Sequence, residues 1–176
     1  MDQPVPDQQT VEPATGERLQ KRIAGVELRF AKTLPDERGS LCEIFRADWG
    51  FGPGEPVTHI YQTMIRPGRV KGWGAHEHQT DRYFVSMGSV KIVLFDDREG
   101  SPTRGLVNEF HLSNENRALL VIPPFVWHAT QNTGNADALL IIFPTRAYDY
   151  VKPDKMRLPL GAEKIPYSFD VIRHGG

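Results

Sequence analysis

From Val26 onward the chain reads as short apolar runs broken by turn residues. Val26-Glu27-Leu28-Arg29-Phe30 alternates apolar and polar positions with period two, the pattern of a strand buried on one face. Further strands are predicted over Thr58–Ile65, Arg82–Met87, Ser89–Phe95, Leu106–His111, Ala118–Ile122 and Ala138–Phe143. Between them stand Arg66-Pro67-Gly68, Gly100-Ser101-Pro102, Pro123-Pro124 and Thr133-Gly134-Asn135, because Gly supplies positive φ and Pro fixes it. Met87-Gly88-Ser89, between two strong runs, predicts a hairpin. With no long amphipathic pattern and no repeat, the expectation is all-β, a sandwich or barrel of many short strands in one domain. Residues 1–22, rich in Pro, Gln, Asp and Thr, predict a flexible arm; residues 23–150 form the barrel; residues 151–176, rich in Pro and charge, form a tail packed on it.

The 176 residues carry 21 Lys+Arg against 22 Asp+Glu, a formal charge of −1. This balance argues against nucleic-acid or anionic-membrane partners, which need a basic excess. No apolar run approaches the ~20 residues of a membrane span, and the N-terminus lacks the basic and apolar regions of a secretory signal. Cys42 is the single cysteine, so no internal disulfide forms and a cytoplasmic location is expected. Its setting, Leu41-Cys42-Glu43-Ile44-Phe45, is that of a small buried filler.

Candidate chemistry centres on histidine. His76 and His78 stand two apart in Gly74-Ala75-His76-Glu77-His78, a spacing that points both imidazoles the same way if the segment is a strand. His128 follows the turn Pro123-Pro124 and is expected to bring a third imidazole to the same barrel mouth. Neutral imidazoles ligate zinc, iron or nickel, and Asp81 is the nearest carboxylate to add. The competing reading is a polar pocket in which these histidines are satisfied by hydrogen bonds.

His76, His78 and Gly88, with Asp81 as the acidic member, resemble the first motif of the cupin superfamily; Pro123, His128 and Asn132 resemble the second. The resemblance implies a jelly-roll barrel, the double-stranded β-helix. Three stretches are similar, in order, to the dTDP-4-dehydrorhamnose 3,5-epimerases: Asp36-Glu37-Arg38-Gly39-Ser40-Leu41-Cys42-Glu43-Ile44-Phe45, Asp96-Asp97-Arg98-Glu99-Gly100-Ser101-Pro102-Thr103, and Leu112-Ser113-Asn114-Glu115-Asn116 continuing through Ile122-Pro123 to His128. By resemblance, Arg38 pairs with a diphosphate and Glu43 accepts hydrogen bonds from the base, partly across a homodimer interface. Asp96 to Thr103 reads instead as a strand end and a capped turn.

The resemblance implies proton abstraction beside a C4 ketone and return of the proton on the opposite face, with a base, an acid and a cation. The family places the base in R-G-L-H. Lys71-Gly72-Trp73-Gly74 occupies that frame, so the base falls on Gly74, or on His76 if two residues are inserted. The family's lysine position holds Asp81, with Arg82 adjacent, and the tyrosine position falls near Ile142, with Tyr148 and Tyr150 the closest substitutes. The candidates are therefore His76 or His128 as base, Arg82 or Lys71 as cation and Tyr148 as acid. Trp73 and Trp127, flanking the histidines, are expected to line the pocket with Lys71. Three readings stand: a sugar-nucleotide epimerase that needs no cofactor, a metal-dependent cupin acting on a small molecule through His76, His78 and His128, and a non-catalytic relative that binds a nucleotide sugar.

Overall fold

The computed structural model describes residue 6 and residues 9–14, 19–50 and 57–170. Half of the expected N-terminal arm, residues 51–56 and the end of the tail from 171 to 176, with His174, lie outside the described residues.

Among the described residues twelve strands follow in chain order: β1 Glu27–Phe30, β2 Thr33–Asp36, β3 Gly39–Cys42, β4 Tyr61–Ile65, β5 Val70–Ala75, β6 Asp81–Met87, β7 Ser89–Asp96, β8 Val107–Ser113, β9 Ala118–Ile122, β10 Val126–Asn132, β11 Ala138–Ile142 and β12 Met156–Arg157. A 3₁₀ turn spans Ala47–Trp49. Two five-stranded antiparallel sheets, ordered β1-β9-β6-β11-β4 and β12-β5-β10-β7-β8, face each other, and β2 and β3 form a separate hairpin. This is the jelly-roll barrel.

The main core lies between the sheets, where Val85, Ile92, Leu94, Phe110, Leu120 and Leu140 are buried together. Both outer faces are also covered. The tail brings Ile165, Tyr167 and Phe169 against Trp73, Val93 and Trp127 on the second sheet. The segment after β3 brings Ile44, Phe45 and Trp49 against Phe84 and Leu119 on the first, with Cys42 at the edge of this cluster. Central strands are therefore buried on both sides: every residue of β9 and β10 is inaccessible, so their sequences carry long apolar or mixed runs instead of clean alternation.

β5 was not among the predicted strands because Val70-Lys71-Gly72-Trp73-Gly74-Ala75 lacks an apolar period. Its place beside β10 depends on close backbone approach. A Cβ on Gly72 would stand 2.2 Å from the Ala129 Cβ, so only glycine lets the two strands meet there.

The Asp96–Thr103 turn ties the N-terminal segment to β7. The buried Asp96 carboxylate accepts hydrogen bonds from Arg98 Nε at 2.8 Å, Ser101 Oγ at 2.6 Å and Thr103 Oγ1 at 2.6 Å. Arg98 also donates to the Ala24 carbonyl, and the Ala24 N–H donates to Thr103. Burial alone would raise the Asp96 pKa, but these donors outweigh it and hold the carboxyl far below the usual range.

Candidate active site

β5 ends at Ala75, and residues 76–80 cross to β6 without pairing as a strand. The crossing is pinned by backbone: the Phe125 N–H donates to the His76 carbonyl at 2.7 Å, and the Thr80 N–H to Thr145 Oγ1 at 3.0 Å. β6 begins with Asp81 turned into the barrel, and β10 presents His128, whose chain neighbours across the sheet are Gly74 of β5 and Leu94 of β7.

These elements bring three buried groups to one point. His76 Nε2 lies 3.4 Å and His128 Nε2 3.5 Å from Asp81 Oδ2. The two imidazoles stack with centroids 5.8 Å apart, and Tyr83 meets His128 edge-on at 5.7 Å. Asp81 Oδ1 accepts a hydrogen bond from Gln79 Nε2 at 2.6 Å, whereas Oδ2 and both Nε2 atoms have no hydrogen-bond partner. The Nδ1 atoms are engaged instead. His76 Nδ1–H donates to the Asp154 carbonyl, and His128 Nδ1–H to the Val126 carbonyl at 3.2 Å. A carbonyl only accepts, so each neutral ring carries its lone pair on Nε2, facing the carboxylate. Burial pushes His128 down to about 4, against the opposing pull of Asp81, which keeps that ring neutral near pH 7.

The constellation opens on two adjoining clefts. The inner one, of about 370 Å³, is lined by Tyr61, Lys71, Tyr83, His128, Lys155 and Arg157 together with Ile65, Leu140 and Ile142 of the core. The other, of about 400 Å³, is lined by His59, Tyr61, His76, Arg146, Tyr148 and Lys155 among others. Tyr61, Lys155 and Arg157 border both. Burial raises the Tyr61 phenol, helped by the Asp81 charge, so it stays protonated. Burial lowers the Lys155 ammonium while Asp81 pulls it back up.

The expected site residues thus divide. His76, His128 and Asp81 meet, Lys71 borders the inner cleft with its Nζ donating to Thr63 Oγ1 at 2.9 Å, and Tyr148 borders the outer one, edge-on to Tyr150. His78 does not join them: its side chain is 56% exposed beside Glu77. The two-residue rule fails because residues 76–78 are a bend, fixed by the Asp154 carboxylate accepting the Glu77 and His78 N–H groups at 2.8 and 3.0 Å. Arg82 lies on the opposite face of β6 from Asp81, its guanidinium 5.4 Å from the Phe45 ring, as alternation along a strand requires. For the same reason Trp73 and Trp127 face the tail, against Phe169 and Lys164, and not the clefts. Arg38 and Glu43 are exposed, paired with Asp36 and Arg46, and line neither cleft of their own chain.

Residues not singled out from sequence complete the lining. Tyr61 shares a face of β4 with Thr63 and Ile65, a signal that period-two reading of Thr58–Ile65 contained. Asp154 and Lys155 gave none, since they reach the site from the tail.

A model of the dTDP-4-dehydrorhamnose 3,5-epimerase family matches residues 20–158. The chain is 37% identical over 154 residues to the Probable low-salt glycan biosynthesis epimerase Agl13 of Haloferax volcanii, covering 87% of this chain and 98% of that protein. It is 30% identical over 151 residues to the spore coat polysaccharide biosynthesis protein SpsL of Bacillus subtilis, covering 84% and 97%. Among solved structures, a dTDP sugar isomerase from Desulfovibrio desulfuricans superposes with a TM-score of 0.78 at 31% identity, covering 85% of this chain and 95% of that one.

Proposed function

This chain belongs to the dTDP-4-dehydrorhamnose 3,5-epimerase family, and we propose that it epimerises a dTDP-linked 4-keto sugar by moving a proton off and back onto a carbon beside the ketone. The observation that carries this reading is the pair of buried imidazoles whose Nε2 atoms face the Asp81 carboxylate, each ring bordering a cleft that is also lined by cations. His76, on the outer cleft, is the base, and Asp81 stands where it stabilises the imidazolium that forms. Tyr61, held protonated, returns the proton. Tyr148 is the second candidate acid, and Lys71, Arg146 and Arg157 suit the diphosphate. Incubation with a dTDP-4-keto-6-deoxyhexose in D₂O tests it: deuterium is expected at C3, C5 or both. Absence of exchange despite dTDP binding would leave a nucleotide-sugar-binding protein without this chemistry.

A second reading has its own observation. The ligand atoms of His76, Asp81 and His128 all lie within 4.8 Å of one another, and both histidines donate Nδ1–H to backbone carbonyls, as metal-ligating histidines do. Two imidazoles and a carboxylate fit a divalent transition metal such as iron, zinc or nickel, with His78 outside the set. Such a metal would act as a Lewis acid toward the ketone oxygen. Elemental analysis of untagged protein tests this: stoichiometric metal that disappears in His128→Ala supports it, and full exchange activity in metal-free protein removes it.

We further propose a cytoplasmic homodimer. The single Cys42 supports the location. The β2–β3 hairpin supports the dimer, since it pairs with no other described strand, exposes Leu34 and Leu41, and carries Arg38 away from its own clefts.

A further inference from the structure

Removing a proton beside a ketone gathers negative charge on the ketone oxygen, so an epimerase site needs a cation or strong donor there. By the resemblance the family's lysine position falls on Asp81, an acid, and Arg82 faces the other side of β6. Lys71 is exposed and its ammonium donates to Thr63.

Lys155 stands differently. It borders both clefts, as Arg157 does, but its side chain lies against Gly74 and His128 at the histidine pair, and none of its contacts among the described residues is a hydrogen bond or an ion pair. Its side chain runs over the bare backbone of Gly74. A Cβ placed on Gly74 would lie 3.3 Å from Lys155 Cε, 3.8 Å from its Nζ and 3.5 Å from His128 Nε2. Gly74 also lies in the stretch that resembles the family's R-G-L-H, a resemblance that sets the base on Gly74 or, with two residues inserted, on His76. Gly74 carries no side chain, and the end of Lys155 occupies the space beside it.

The lysine is held on both sides. Asp154 before it receives the Glu77 and His78 N–H groups, and Met156 and Arg157 after it pair with Ala75 and Gly74 as β12. A cation fixed before the reaction begins costs no reorganisation when charge develops.

We infer that Lys155 is the catalytic cation of this site, its ammonium donating to the C4 oxygen of the bound sugar. The inference rests on the epimerase reading. His76 takes the α proton, the C–H pair becomes the carbon–carbon double bond, and the carbonyl π pair moves onto oxygen, where the Lys155 N–H groups hold it. Return of a proton to the opposite face reverses each shift.

The test measures deuterium exchange from D₂O into a dTDP-4-keto-6-deoxyhexose and, separately, dTDP affinity by calorimetry. Lys155→Met is expected to slow exchange by about 10²–10³-fold, the usual cost of losing one oxyanion donor, with dTDP affinity within threefold of the parent. That retained affinity also reports that the variant folds. Lys155→Arg is expected to recover at least tenfold of the loss. Gly74→Ala, which crowds Lys155 Cε, is expected to slow exchange in the parent but not in the Lys155→Met background, because both changes act on one group. Exchange by Lys155→Met within threefold of the parent overturns the assignment alone. A parent that exchanges no deuterium overturns the epimerase reading and the assignment with it.

Discussion

Asp154 holds His76 in place: its backbone carbonyl accepts the His76 Nδ1–H, and its carboxylate accepts the next two backbone N–H groups, of Glu77 and His78. Burial favours the neutral acid, yet these N–H donors outweigh it and lower the carboxyl below its usual range. Asp154→Ala removes both loop contacts and frees the bend that aims Nε2. Exchange activity is expected to fall about 10–100-fold, the usual cost of losing a group that orients a functional histidine, mainly in kcat. Asp154→Asn keeps one acceptor oxygen and is expected to recover part of the loss. An alanine variant with parental kcat would show that the bend holds itself.

Asp96 makes stability depend on pH in a definite direction. Its folded pKa lies far below the unfolded value of about 3.9. The unfolded chain therefore binds the proton first as pH falls. The contribution is complete above about pH 5 and declines as pH drops below 4. Asp96→Asn is expected to cost roughly 2–4 kcal/mol at pH 7, since Arg98 loses its buried partner. Urea melts of parent and variant should converge between pH 4 and pH 2. A gap that stays constant over that range would assign the cost to packing and not to charge.

Turn residues and alternation located most of the barrel because strands such as β1 and β8 keep one face wetter than the other. The same signal failed at β5, where glycines meet β10 and packing decides the conformation. It also misdirected the tryptophans. Trp73 and Trp127 flank the histidines in sequence, but the pleat sends neighbours to opposite faces, and the outer face is covered by a tail whose contacts no local pattern announces. His76, Asp81 and His128 were legible as a set because two motifs named them. The exit of His78 was not, since it depends on a strand ending at Ala75. Nor was Asp154, which meets His76 across 78 residues of chain.

Gly88 closes the β6–β7 hairpin with φ of +81°, and a Cβ there would sit 2.8 Å from the Ala138 Cα and 3.0 Å from the Asp137 carbonyl oxygen. Gly100 has nearly the same backbone, φ +74°, with open space around it. Gly100→Ala is expected to cost on the order of 1 kcal/mol from conformation alone. Gly88→Ala should cost at least twice that, because β11 cannot retreat without losing its register with β6. Equal urea midpoints for the two variants would show that the hairpin relaxes freely.

His76 and His128 are distinguished by what each loses on substitution. Both present Nε2 to Asp81 Oδ2 at nearly equal distance, but only His76 borders the outer cleft, and burial leaves His128 a weak base. If His76 is the base, His76→Asn removes the proton acceptor and should slow exchange by about 10²–10⁴-fold. His128→Asn should then cost markedly less, acting through the stacked ring and the edge of Tyr83. If a metal does the work, the two rings are equivalent ligands, so both variants should lose metal and activity together. Exchange rates and metal content measured on the two single variants and the double variant separate these cases. Parental turnover in His76→Asn, with His128→Asn inactive, would move the base to His128 despite its depressed pKa.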